Sequence, residues 1–279
     1  MHAHRAAAGY NERLFAGGLR RQLHLSRFKW ARNVAQKLPH KRLLEIGCHD
    51  GRLLDYISPE HYVGVDANWE GGLDKARSRN LGGARIELVE TSSPASLDAY
   101  QDQAFDLGVA LETLEHVSDA DGYLRQLARL CDNVIITVPN EKGLVFLAKW
   151  AAKALLLAGD GRERYSPAEI WHATTGQMHK VPRREHKGFD YAAFIEGLKQ
   201  WFVVTSVVGL PIGPPRFAFG VAVIAYSRRP ADKSKPDLRI VNRLTPSPGP
   251  QLNPVSGMRG TRREMGSRGE AGRPTASAY

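Results

Sequence analysis

Cysteine is scarce in this chain: its 279 residues hold two, Cys48 and Cys131. Two thiols give neither a disulfide framework nor the paired spacing of a structural zinc site. The count suits a reducing, cytoplasmic setting, with Cys131 as a core residue. Long apolar runs are missing too. No stretch approaches the roughly 18 uninterrupted apolar residues of a membrane span, and the opening Met1-His2-Ala3-His4-Arg5 lacks the apolar segment of a secretory signal. Acidic residues are sparse at both ends. Residues 1–42 carry ten Lys/Arg and one Glu, and residues 228–279 carry eleven Lys/Arg and four Asp/Glu. Of the net +10, this leaves −6 for residues 43–227. A nucleic-acid enzyme would more often surround its site with a basic stripe, so nucleic acid is the less favoured partner. Basic arms beside an acidic domain could instead meet an anionic membrane surface, or be solvated ends.

What is present is a nucleotide-site pattern. At 42% hydrophobic, the chain can build one sizeable α/β domain with appendages. Residues 43–51 read Leu-Leu-Glu-Ile-Gly-Cys-His-Asp-Gly, an apolar run breaking into a turn between Gly47 and Gly51. A helix-like stretch, Arg52–Ile57, follows. Tyr62–Val65 is then a short β-branched run ending at Asp66. Strand, tight turn, helix and a second strand ending in a carboxylate is how a parallel sheet builds a nucleoside site. Glycine lets the backbone approach the ligand, and the carboxylate can accept both hydrogen bonds of a ribose diol. The spacing is wrong for the G-x-G-x-x-G of nicotinamide enzymes.

With Glu45 two positions before Gly47, the turn resembles motif I of class I S-adenosylmethionine-dependent methyltransferases, E/D-x-G-x-G-x-G. His49 stands at the middle glycine. The resemblance covers about residues 40–227. Phe105–Leu111 looks like the fourth strand of that family, leading into Glu112-Thr-Leu-Glu115-His116-Val. Val134–Val138 with Pro139-Asn140 is similar to the fifth strand and its exit. Phe202–Val208 and Phe219–Tyr226 look like the final antiparallel pair. Ile86–Glu90 fits the third strand, with Ser92 where an adenine-contacting Asp is common. The resemblance implies an α/β Rossmann-like fold: a seven-stranded, mostly parallel sheet with an antiparallel last strand and helices on both faces. It also implies S-adenosylmethionine as cofactor, held by Glu45, Gly47, Cys48, His49, Gly51, Asp66, Ser92 and Leu111.

Three regions follow. Residues 1–40 form a basic N-terminal arm, in which apolar Phe28, Ala31, Val34 and Ala35 predict a helix over Ser26–Leu38 that covers the sheet. Residues 41–228 form the domain. Residues 229–279, rich in Pro, Gly, Ser and Arg, predict a disordered tail. Within the domain, residues 141–188 are too long for a simple connection. They predict an apolar helix, Gly143–Ala158, followed by a polar region with His172, His179 and His186. In the family, insertions here commonly form a lid over the acceptor site. Lys149 and Lys153, four apart, share a helix face. That suits an interfacial helix as well as one packed on the protein.

Methyl transfer from a sulfonium is an in-line displacement, so the protein must align the acceptor and help remove a hydroxyl proton. Glu112, Glu115 and His116 have i, i+3, i+4 spacing, and a helical segment would point all three to one side. They could hold Mg²⁺ or Mn²⁺. The E-x-x-E-H run resembles the ubiquinone-type quinol O-methyltransferases and the small-RNA 3′-terminal 2′-O-methyltransferases. In the RNA group a downstream histidine completes a metal site. Glu185-His186-Lys187-Gly188-Phe189 looks similar to that motif, with Gly188 as an extra residue and His186 as fourth ligand. Metal-free alternatives remain open: His116 or His186 as general base with Glu115 beside them, or residues that only shape the pocket. A separate metal cluster of His172, His179 and His186 is the weaker pattern.

The acceptor is expected to be a hydroxyl on a glycan, a glycolipid or another small molecule. Lys180, Arg183, Arg184 and Lys187 could bind the pyrophosphate of a lipid-linked acceptor. A quinol or an RNA terminal ribose is the alternative. A degenerate fold that binds without turnover is another, since His49 and Ser92 depart from the pattern.

Overall fold

Seven strands form one sheet, in the order β3-β2-β1-β4-β5-β7-β6. They are β1 (Arg42–Ile46), β2 (His61–Asp66), β3 (Arg85–Glu90), β4 (Phe105–Leu111), β5 (Cys131–Pro139), β6 (Phe202–Leu210) and β7 (Gly220–Ser227). The first five are parallel, and β7 runs antiparallel between β5 and β6. The computed structural model describes residues 18–79, 85–156, 165–184, 186–211 and 213–228. The tail expected over 229–279 lies outside them, as do residues 1–17 of the N-terminal arm.

The strands read as near-continuous apolar runs because both faces are covered. Leu44, Ile46, Val63, Val65, Ala110 and Ile136 pack with Leu124 and Leu127 of helix α3 (Ala120–Leu130) and with Ile195 and Leu198 of α6 (Tyr191–Leu198). On the other face, Leu43, Tyr62, Leu107, Val109 and Ile135 meet Phe28, Ala31, Val34 and Ala35 of α1 (Gly18–Ala35), and Leu73 of α2 (Gly72–Ser78). The N-terminal helix is thus part of the core. It starts eight residues before the expected Ser26. Ser26 sits inside it, with its hydroxyl turned back to the Leu23 carbonyl at 2.6 Å. The expected stretch Arg52–Ile57 is shorter than predicted, a 3-10 turn over Arg52–Asp55.

The insertion after β5 contains α4 (Gly143–Leu156) and α5 (Pro167–Thr174). It has a small core of its own, in which Phe146, Ala173, Met178 and Val181 are buried against Trp150, Tyr165 and Ile170. Ser166 and Glu169 form a reciprocal capping box that starts α5. All five parallel strands end on one edge, and the candidate site lies there.

Candidate active site

The turn between β1 and the 3-10 turn Arg52–Asp55 is held by backbone. Gly47 and Cys48 donate to the Val65 carbonyl at 2.7 and 3.1 Å, and Gly51 donates to the Cys48 carbonyl at 2.8 Å. Gly47 has φ +77°, and a Cβ there would lie 2.2 Å from Thr113 Oγ1. Both the conformation and the close approach of the β4 exit therefore require glycine. His49, at the middle glycine position, adopts φ +45°, so the left-handed turn survives the substitution.

Asp66 closes this turn from β2. Its carboxylate accepts from the backbone N–H groups of His49 at 2.9 Å and Asn68 at 2.8 Å. Each oxygen has lone pairs left for a ribose diol. The His49 ring packs over Gly72, with Nε2 3.7 Å from Glu70 Oε2. Leu111 ends β4 on the same edge, and Ser92 is exposed just beyond β3. Cys48 is buried beside Gly64, and its thiol is pushed up by burial. Glu45 is 3% exposed and accepts a hydrogen bond from Tyr62. Burial raises its pKa to about 8 against the lowering effect of that bond. Sequence reasoning did not single out Tyr62, whose role depends on an adjacent strand.

The segment after β4 departs from expectation. Glu112–His116 is a turn rather than a helix, closed by His116 N–H to the Thr113 carbonyl at 2.9 Å. Glu112 has φ +52° and is held by its own N–H to the Thr137 carbonyl. This reversal sends its carboxylate to Arg27 of α1, which donates to it, with His24 Nδ1 3.8 Å away. Glu112 is therefore not gathered with the other three candidate ligands. Glu115, His116 and His186 are gathered, with ligand atoms within 4.8 Å of one another. The His116 and His186 rings meet edge to face, centroids 4.3 Å apart. Glu115 Oε1 is 3.9 Å from His116 Nε2.

Glu115 is buried, and among the described residues neither carboxylate oxygen has a hydrogen-bond partner. Burial and the neighbouring Glu112 hold its pKa well above the usual carboxylate range. His186 is delivered by a tight turn. Arg184 N–H donates to the Lys187 carbonyl at 3.0 Å and Phe189 N–H to the His186 carbonyl at 3.1 Å. Gly188, the extra residue, has φ +73°, and a Cβ there would lie 2.7 Å from the Val181 carbonyl oxygen. Arg183 donates to the Glu115 backbone carbonyl at 2.6 Å, tying this turn to the site.

The expected basic patch is dispersed. Lys187 is buried and pairs with Glu169 at 2.9 Å, Lys180 bonds Gln177, and Arg184 is exposed. His172 and His179 join no metal-type group among the described residues. The residue most clearly missed from sequence is Arg27. Its side chain is 12% exposed, and its positive charge acts on Glu45 and Glu115 as well as Glu112. Only its place on a helix predicted to cover the sheet hinted at it.

A Gly-bent turn after β1, a carboxylate at the end of β2 and a β3-β2-β1-β4-β5-β7-β6 sheet together define a class I S-adenosylmethionine-dependent methyltransferase. The chain belongs to the methyltransferase-domain family, whose model matches residues 19–184, and its cofactor is S-adenosylmethionine. It is similar to the ubiquinone biosynthesis O-methyltransferase of Aeromonas salmonicida (strain A449), 27% identical over 186 residues, 61% of this chain and 75% of that protein. It is also similar to the ubiquinone biosynthesis O-methyltransferase of Hahella chejuensis (strain KCTC 2396), 32% identical over 96 residues, 33% of this chain and 40% of that one. In fold it matches an S-adenosylmethionine-dependent methyltransferase from Clostridium acetobutylicum ATCC 824 with TM-score 0.51 and 12% identity, covering 78% of this chain and 98% of the other. Among the described residues, no helix is long and apolar enough to cross a membrane.

Proposed function

We propose that this methyltransferase acts on a hydroxyl of a small amphiphilic acceptor, first of all a catechol-like quinol ring. The observation that carries the reading is the buried, unbonded Glu115 carboxylate beside His116 and His186. A buried carboxyl with no partner is costly unless a ligand completes it. The two relatives named for ubiquinone biosynthesis favour a quinol over the glycan that the sequence alone put first. The side chains that suggested pyrophosphate recognition are drawn into other contacts, Lys187 to Glu169 and Lys180 to Gln177.

The Gly47–Gly51 turn and Asp66 would hold the cofactor, which when bound supplies a sulfonium methyl for in-line transfer to the acceptor oxygen, with S-adenosylhomocysteine as the leaving thioether. The hydroxyl proton passes to the imidazole of His116 or His186, which neutral histidine can accept near pH 7.

The same three side chains fit a divalent cation. Glu115 would hold it through an oxygen that lacks a protein partner, and His116 and His186 through ring nitrogens. One carboxylate with two imidazoles favours Mn²⁺ and other transition ions over Mg²⁺. When bound, such an ion lowers the pKa of an acceptor hydroxyl.

The test is transfer of labelled methyl from S-adenosylmethionine to a soluble catechol, a free glycan and a short RNA, with and without EDTA. Label on the catechol, lost in Glu115→Ala, is expected. Label on glycan or RNA instead would overturn the acceptor, and full activity in EDTA would remove the cation.

A further inference from the structure

The turn that delivers His186 is anchored on both sides of that residue. Before it, Arg183 donates to the Glu115 carbonyl at 2.6 Å, and its guanidinium lies 4.9 Å from the centre of the Phe189 ring. After it, Lys187 reaches into the insertion. Its ammonium pairs with Glu169 Oε1 of α5 at 2.9 Å and lies 4.8 Å from the centre of the Tyr165 ring. The Lys187 side chain is only 10% exposed. A lysine is seldom buried unless paired, and loss of its partner leaves an uncompensated charge in the interior.

Glu169 is itself held in place. Its other oxygen, Oε2, accepts from the Ser166 N–H at 2.6 Å, while its own N–H donates to Ser166 Oγ at 3.3 Å. The capping box therefore orients the carboxylate, and each oxygen serves a different partner. Helix α5 is fixed in turn by Ile170 and Ala173, which pack with Phe146 and Trp150 of α4. A continuous series of contacts thus runs from the small core of the insertion through Glu169 and Lys187 to the adjacent His186, whose ring meets His116. Glu169 is not part of the group gathered at Glu115. It bears on that group only through Lys187.

We propose that Glu169 and Lys187 are positioning residues: their ion pair holds His186 against His116 and Glu115, so the insertion sets the geometry of methyl transfer. An imidazole that takes a proton or holds a cation must stay within about 0.5 Å of its place. A turn fastened through Arg183 alone can pivot about that contact. A second anchor, beyond His186, removes the pivot. A buried Lys–Glu pair suits this task better than an apolar contact, because it fixes register as well as proximity. The proposal rests on the reading of His186 as base or cation ligand for its purpose, and on the geometry of the turn for its test.

Glu169→Gln isolates the pair, because glutamine can still close the capping box on Ser166 but offers Lys187 no charge. In the full-length chain with isotope-labelled histidine, the ring signals of His116 and His186 are assigned by their loss in His116→Asn and His186→Asn. In Glu169→Gln both signals are expected to move toward those of an unstructured histidine as the edge-to-face contact loosens. The signal of His61, at the start of β2 and far from the strand ends that carry the site, should stay in place. The kcat for methyl transfer should fall about tenfold or more, with S-adenosylmethionine affinity unchanged. Adding Lys187→Met removes the stranded charge. The melting temperature should then return toward wild type, while kcat and the His186 signal should not. Recovery of all three would overturn the proposal in favour of a purely structural ion pair. Unmoved His116 and His186 signals with full kcat in Glu169→Gln would overturn it outright. Signals that move as expected, in a protein whose wild type methylates no catechol, would sink the acceptor reading and leave the positioning role standing.

Discussion

The two halves of the active-site edge are built in opposite ways. On the cofactor side, the Gly47–Gly51 turn and Asp66 come from consecutive elements, and the Asp66 carboxylate is already met by two backbone N–H groups. On the proposed acceptor side, Glu115, His116 and His186 come from segments about seventy residues apart, and the Glu115 carboxyl has no hydrogen-bond partner among the described residues. A turn that recognises an unvarying ligand can be finished in the empty protein. A pocket that must remove a proton keeps a buried group unsatisfied until its ligand arrives, at a cost in stability.

Glu115→Gln tests that contrast most strongly. Transfer should fall by about a hundredfold or more, while the cofactor-free protein becomes more stable. The sign follows from burial. Burial raises the folded carboxyl's pKa well above its ordinary value, so the unfolded chain binds fewer protons as pH rises, rising pH favours unfolding, and the amide removes that pull. A cofactor-free Gln variant that melts below wild type at high pH would mean that Glu115 is satisfied after all.

Gly47→Ala addresses the other half. The positive φ and the contact with Thr113 leave no room for a methyl group. S-adenosylmethionine affinity should drop roughly 30-fold, about 2 kcal/mol, as read by calorimetry. Unchanged affinity would show that the turn is not the cofactor site.

Arg27→Met bears on the helix that bridges the halves. It strands the Glu112 carboxylate, and the partly exposed pair should be worth about 1 kcal/mol, a few degrees of melting temperature. Adding Glu112→Gln should restore most of the loss. Independent, additive effects would break the link between α1 and the β4 exit.

Glu45→Gln should have a smaller, pH-dependent effect. The native pKa of about 8 lies above the unfolded 4.5, so Glu45 progressively destabilises the fold as pH rises from about 4.5 to about 8. The variant's advantage should grow through that window and level off above it. A difference that stays flat across the window would contradict the burial argument. The smallest change is expected for His49→Gly, since φ +45° suits glycine; cofactor affinity should stay within about threefold.

Much of this was legible locally. Short apolar runs together with the family resemblance located all seven strands to within about three residues, and the central strands β1, β4 and β5 are the most deeply buried. The Gly47–Gly51 turn was legible because glycine spacing and a carboxylate at a strand end encode a backbone shape. The acceptor side was only half legible. The i, i+3, i+4 spacing of Glu112, Glu115 and His116 assumed a helix, and the left-handed Glu112 turned its side chain to Arg27 instead. The basic cluster around His186 looked like one patch in sequence, but Lys187 is drawn to Glu169 of α5.

By itself, the sequence determined the sheet, the tight Gly47–Gly51 turn and the presence of an insertion after β5, since these depend on hydrophobic periodicity and backbone sterics over short spans. Only the tertiary structure decided which ionisable groups meet. It paired Arg27 with Glu112, left Glu115 buried without a hydrogen bond among the described residues, and brought His186 to His116. Side-chain direction and desolvation are set by elements that close from far along the chain, and residue spacing carries no information about either.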